Sequence, residues 1–246
     1  VRFPEGLTHG FLLVRSSAGD IVGHGELTQI VKEGGVAESR LVFRFKDGSL
    51  HDEKVAFSQQ RVFTLIRYQL TQRGPSFPEQ MDVVVDRGSS SYEVRSRSGE
   101  DGKEKVLSGE IDVPKDAYNG MIITTLLNLP KRATETVNVL AFVPEPTPIA
   151  LELAFVGEQV MHVGDQSRKA LQYAFKPDIG PVKKFLGTML GKLPADFHYD
   201  CYILADEVPA FVRFEGPLQI MGPVLSIELI SPQLAEKAED QKHAPR

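Results

Sequence analysis

The feature that most limits what this chain can fold into is a period-two alternation of apolar and polar residues, repeated along most of its length. In Leu41-Val42-Phe43-Arg44-Phe45 the apolar set is 41, 43 and 45, and in Tyr92-Glu93-Val94-Arg95-Ser96-Arg97 the charges at 93, 95 and 97 share one side. Leu151, Leu153 and Phe155 repeat the pattern, as do Leu171, Tyr173 and Phe175, then Leu225, Ile227 and Leu229. Side chains alternate between the two faces of a strand, so each run sets one face on a core and one in water. Turn signals separate the runs: Ala18-Gly19-Asp20, Glu33-Gly34-Gly35, Lys46-Asp47-Gly48 and Arg87-Gly88-Ser89. Asp47-Gly48 is a strong hairpin signal, because such dipeptides adopt the positive φ angles of tight turns. Short strands at close spacing argue for antiparallel pairing rather than βαβ units. The expected fold is mainly β: a large curved antiparallel sheet, a half-barrel or open barrel, with two short helices as lid or plug.

Two segments leave the alternation. In Gly180–Leu193, Val182, Phe185, Leu186, Met189, Leu190 and Leu193 recur at helical spacing, with Pro181 at the start and Pro194 past the end. The second, Asn119–Leu129, carries no charge, is apolar nearly all round and stops at Pro130. A helix of that kind must be covered on most sides, although its β-branched residues also permit a strand.

At 246 residues the chain can bury a sizeable core. Pro144-Glu145-Pro146-Thr147-Pro148 reads as a stiff turn, since strands resume on both sides. The expectation is a single β-rich domain over 1–232 and a charged, frayed tail over 233–246. The net charge is −5, with Lys and Arg interspersed among Asp and Glu, which argues against nucleic acid as a partner. Cys201 is the only cysteine, so no intramolecular disulfide forms. The longest apolar run falls far short of the roughly 20 residues of a membrane helix, so no transmembrane segment is expected. Lys183, Lys184 and Lys192 read as the solvated face of the second helix.

Few residues suggest chemistry. On a strand, Asp196, His198 and Asp200 point to one side and Tyr199, Cys201 and Ile203 to the other. His198-x-Asp200 matches half of an iron-binding facial triad, but the only downstream histidine is His243 in the tail. The reading is a wet strand face over 196, 198 and 200, with no metal site. His51-Asp52-Glu53 reads as a hydrated hairpin end, and His24 between Gly23 and Gly25 as a bulge or close backbone approach. No nucleophile elbow, phosphate-binding loop or zinc-protease motif is present, so no catalytic residue and no cofactor are assigned. The Gly74-Pro75-Ser76-Phe77-Pro78 corner has counterparts at Gly216-Pro217 and Gly222-Pro223. All three read as turns ending one strand and starting the next; rigid loops of this kind also tend to carry sites.

Phe43–Ser49, Phe57-Ser58-Gln59, Gln72–Pro78 and Pro209–Leu218 resemble strings in a family of uncharacterised, exported bacterial proteins. That resemblance implies a periplasmic or secreted protein whose signal peptide has been removed. In architecture the chain is similar to lipoprotein-localisation-factor (LolA/LolB-like) half-barrels, where a curved sheet and a helical lid enclose an acyl-chain cavity. The expected function is binding or carriage of a lipid or other apolar small molecule in the envelope. Met121, Ile122, Leu126, Leu127, Phe185, Leu186, Met189 and Leu190 are expected to line the cavity or its lid. The alternatives are an envelope assembly protein working through a protein partner, and an enzyme whose site has no recognised motif.

Overall fold

The alternating runs become strands of one continuous sheet. The structure is a computed structural model and describes residues 1–98, 102–143, 145–164, 166–182, 199–219 and 222–230. The chain lays down β1 (Thr8–Ser16), β2 (Ile21–Lys32), β3 (Val36–Phe45), β4 (Leu50–Gln59), β5 (Phe63–Arg73), β6 (Glu79–Asp86), β7 (Ser91–Ser98) and β8 (Lys105–Glu110) as an unbroken meander. A crossover carrying α1 (Ile122–Asn128) then leads to β9 (Glu135–Phe142), β10 (Pro146–Val163), β11 (Gln166–Pro177), β12 (Asp200–Leu204), β13 (Phe211–Gly216) and β14 (Leu225–Ile230). The second meander joins the first where β14 pairs antiparallel with β1, Phe11 opposite Ile230. The result is a 14-stranded antiparallel sheet in the order β8-β7-β6-β5-β4-β3-β2-β1-β14-β13-β12-β11-β10-β9. β8 and β9 are its two ends and do not pair with each other, so the sheet is not closed into a barrel.

The sheet is nevertheless strongly bent. β5 and β9 stand ten places apart in the order, yet Tyr68 and Phe142 stack with ring centroids 5.9 Å apart. Leu140 and Phe142 of β9 pack with Val55, Leu65, Val83 and Val94 from the first meander. Val137, in the opposite phase, packs instead with Leu153, Leu171, Tyr173 and Cys201. β9 is therefore covered on both faces. Its open edge is also covered: Asn119 donates to Leu140 O and accepts from Leu140 N, and Tyr118 N donates to Asn138 O. This spares β9 the row of unpaired backbone groups that invites strand addition.

β10 shows why prolines are admissible within a strand. Its first part, from Pro146 to Leu153, pairs with β9, and its second, from Leu151 to Val163, pairs with β11. Pro146 and Pro148 lie where β11 has ended, so no ladder bond is lost on that side. The stiff turn expected over 144–148 is therefore corrected: Pro146, Thr147 and Pro148 belong to β10, and Pro144 lies outside the described residues.

The helix expectation needs correction. Among the described residues there is one α-helix, not two. Within 119–129 the helix covers only Ile122–Asn128, because Asn119 is committed to Leu140 and Gly120 takes a φ of 70°. Gly180–Val182 form a 3-10 turn with Val182 fully buried, and the remainder of the expected second helix lies outside the described residues. The tail over 233–246 is outside them too. Among the described residues no helix is long and apolar enough to cross a membrane.

Candidate functional site

The β1–β2, β3–β4, β5–β6 and β13–β14 connections all leave the same end of the sheet, and its curvature brings them together. The Gly-Pro corner after β5 is built by hydrogen bonds that its sequence supplies. Phe77 N closes the turn onto Gly74 O at 2.9 Å. Ser76 N donates to Ser49 Oγ at 2.8 Å, and Ser76 Oγ donates to Asp47 Oδ2 at 2.7 Å. Asp47 Oδ1 in turn accepts from Ser49 N at 2.9 Å. In the Asp-Gly turn only Gly48 takes a positive φ, of 86°; Asp47 contributes its carboxylate instead. The corner is therefore docked on the β3–β4 turn rather than free.

Beside it opens a cleft of about 260 Å³. Val22, Phe45, Phe77, Leu218 and Leu225 make it apolar; Ser16, Lys46, Asp47, Ser76 and Gln219 place polar groups on it. Gly222 and Pro223 complete the wall, so each of the three Gly-Pro corners ends at or beside this cleft. Gln219 Oε1 is buried and has no hydrogen-bond partner. Its Nε2 donates to Glu79 O, at the start of β6, at 3.4 Å. Burial by itself raises the Asp47 carboxyl, but the donors Ser76 and Ser49 outweigh it and hold the group below its ordinary range. Asp47 is thus a weak base, and Ser76 offers its proton to a group poorly suited to remove it.

Behind Phe77 lies a buried polar pair. His51 is 5% exposed and Gln72 1% exposed. Gln72 Nε2 contacts His51 Nδ1 at 3.1 Å and donates to Leu218 O at 2.9 Å. Leu218 O can only accept, so the Gln72 atom between the two is the NH₂ group and His51 Nδ1 is an acceptor. The imidazole proton therefore sits on Nε2. Burial depresses the His51 pKa to about 4, and the neighbouring Asp52 offsets this only in part. The reading of His51-Asp52-Glu53 as a hydrated hairpin end is corrected here. His51 and Glu53 face inward with Val55 and Phe57, whereas Asp52 on the other face makes a two-point ion pair with Arg40, at 2.9 and 2.7 Å. Phase along β4 was the available signal.

Glu53, half-buried on the same face as His51, is an inward-facing acid. Burial pushes its pKa up, and the Tyr68 hydroxyl, donating to Oε1 at 2.8 Å, counteracts only part of that.

The remaining sequence candidates are dispersed. Met121 and Leu126 are each 1% exposed, Met121 packing with the β3–β7 core and Leu126 with the β9–β12 core; Ile122 and Leu127 are half-buried beside the second. Leu127 also lines a recess of about 10 Å³, room for a single water. Phe185, Leu186, Met189 and Leu190 lie outside the described residues, as do Asp196 and His198. Asp200 is described and accepts from Gln172 Nε2 at 3.1 Å. Cys201 and Ile203 are buried, with Tyr199 half-buried against the same cluster, as the strand phase requires; burial pushes the Cys201 thiol up, away from nucleophilic reactivity. His24 is exposed, and its neighbour Gly25 meets the Phe43 ring so closely that a Cβ would lie 2.5 Å from it. Among the described residues no three His, Cys, Asp or Glu side chains gather as metal ligands. No protein-family model, curated protein or solved structure matches the chain.

Proposed function

We propose that this protein binds a small apolar or amphiphilic molecule, such as a lipid or lipid fragment, and carries it in the bacterial envelope. The observation that supports this reading is the cleft at the end of the sheet: apolar walls, a few polar groups at the lip, and rigid Gly-Pro corners around it. Binding sites for small molecules have this composition, and 260 Å³ lies just below their usual range, which suits a small ligand or part of one. In this reading the bent sheet is a half-barrel, α1 is the plug that fills its interior through Met121 and Leu126, and the ligand sits at the rim. Lys46 suits an anionic head group at the lip, and Gln219 Oε1 suits a donor on the ligand. Periplasmic placement follows from the resemblance to exported proteins.

Native mass spectrometry of protein purified from an envelope fraction, followed by solvent extraction, tests the proposal. The expected result is a bound species of defined mass, lost from a Leu218→Trp variant whose indole fills the cleft. A bare chain mass, with no uptake of an apolar fluorophore, would overturn it. The alternative is then an envelope assembly protein, for which the outer edge of β8, with Val106 half exposed, is a strand available for pairing.

A further inference from the structure

We propose that Gln72 is an acid-released latch on the cleft: its amide holds Leu218 only while His51 is neutral, and protonation of His51 opens the Leu218–Gln219 wall and lowers affinity for the ligand. This rests on the reading of the cleft as the binding site.

One NH₂ group serves two acceptors, His51 Nδ1 and Leu218 O. When Nδ1 gains a proton it becomes a donor facing a donor. If the Gln72 amide turns over to present its oxygen to His51, that oxygen faces the Leu218 carbonyl, and the bond to the wall is lost. If the amide keeps its orientation, the imidazolium must move away. Its ring is packed between Phe43, at 5.6 Å, and Phe77, at 6.3 Å, and Phe77 is itself a wall of the cleft. Both routes displace a cleft residue.

The charges around His51 do not prevent this. Its element carries Asp52 on the opposite face, engaged by Arg40, and Glu53 on the same face, engaged by Tyr68. From β3 it meets Phe43, from β5 Gln72 and from the corner Phe77, none of them ionisable at these pH values. Lys46 and Asp47 are the charged residues of the cleft lip, and Asp47 is already held by Ser76 and Ser49. Nothing in this set supplies His51 with a carboxylate acceptor for a new Nδ1–H. The buried imidazole keeps its neutral form down to about pH 4, so the latch is closed at neutral pH and opens under acid stress.

The test uses the full chain and two readouts. The first is NMR of ¹⁵N-histidine-labelled protein from pH 7 to 3.5. The expected result is an Nε2–H tautomer at neutral pH, with the Leu218 and Gln219 amide signals moving at the same midpoint as His51. An Nδ1–H tautomer, or Leu218 and Gln219 signals that ignore the His51 titration, would overturn the latch. The second is binding of N-phenyl-1-naphthylamine, which has no group titrating in this range. Wild type is expected to lose about tenfold in affinity between pH 7 and 4, the size of one lost hydrogen bond. A His51→Phe variant should lose this pH dependence. Should that variant not fold, Gln72→Met serves: it should show weakened binding already at pH 7 and no further loss at pH 4. Fluorophore binding at both pH values without a difference would leave the binding reading standing and remove the latch. No fluorophore binding at any pH, with Leu218 still tracking His51, would remove the binding reading and keep the latch as a conformational switch.

Discussion

Gly74 is held by two constraints at once. Its φ is 96°, and a Cβ there would lie 2.7 Å from Ser49 Cα, a backbone atom that cannot yield cheaply. Gly74→Ala should therefore cost about 2 kcal/mol or more in stability, combining left-handed strain with displacement of the corner. Urea denaturation would show it as a lower midpoint at unchanged slope. Two titratable groups on β4 pull stability in opposite directions with pH. His51 binds its proton near 6.5 when unfolded and near 4 when folded, so its contribution is complete above pH 6.5 and is lost as pH falls toward 4. The loss is on the order of 3 kcal/mol, and His51→Phe should flatten that part of the stability profile. Glu53 behaves in the reverse sense: its folded pKa is raised, so its contribution is present below the ordinary carboxyl value of 4.5 and is lost as pH rises through the folded value. Glu53→Gln still accepts from Tyr68 and should raise the urea midpoint at pH 7 while leaving it nearly unchanged at pH 3.5. The phase of 51, 53, 55 and 57 was readable in the sequence. That a histidine in that phase would be buried and a glutamate half-buried was not, because a polar residue in an inward phase goes inside only if partners such as Gln72 and Tyr68 arrive from elsewhere.

At the scale of elements, α1 shows how little local preference some segments need. It has seven residues, no side-chain cap and no charge in either end turn. A peptide covering 117–131 should be unstructured in water by circular dichroism, since so short a helix cannot repay its nucleation. In the protein it is held by packing, and Met121→Ala should cost about 2–5 kcal/mol. The start of the crossover before it is anchored by a guanidinium. Arg87 donates to Leu65 O, Val113 O and Pro114 O at 2.6 to 2.7 Å, tying the start of the crossover to β5. Arg87→Met leaves three carbonyls without that partner and should cost about 2–4 kcal/mol, read as a lower thermal midpoint. The strands were the most legible part, because each is written in its own alternation: Leu41, Phe43 and Phe45, or Leu171, Tyr173 and Phe175, carry the inward face without reference to the rest of the chain. The start of α1 was not legible, since Asn119 and Gly120 are helix-compatible by pattern and are diverted by Leu140 and by a turn.

At the scale of the molecule, everything depends on a pairing between the chain's two ends. β1 meets β14 from Phe11–Ile230 to Ser16–Leu225 and joins two meanders that, among the described residues, share no other ladder. A truncation that removes residues 222 onward leaves both β1 and β13 as open edges. It should abolish cooperative unfolding and drive the chain into sedimentable aggregates. The same pairing fixes the curvature that carries Leu218 to Gln72, 146 residues earlier in the chain. The sequence by itself determined the phases of its alternating runs and the turns at Asp47-Gly48 and Gly74-Pro75, because these depend on neighbours a few residues apart; Gly216-Pro217 and Gly222-Pro223, which read as two separate strand ends, share the one β13–β14 connection. Only the tertiary structure decided that the corners meet around one cleft, that His51 is buried behind it and that Met121 and Leu126 fill the interior. Those outcomes depend on which distant strands pair and how far the sheet bends, and alternation leaves both open: it specifies which face of a strand is inward, and not what will lie opposite it.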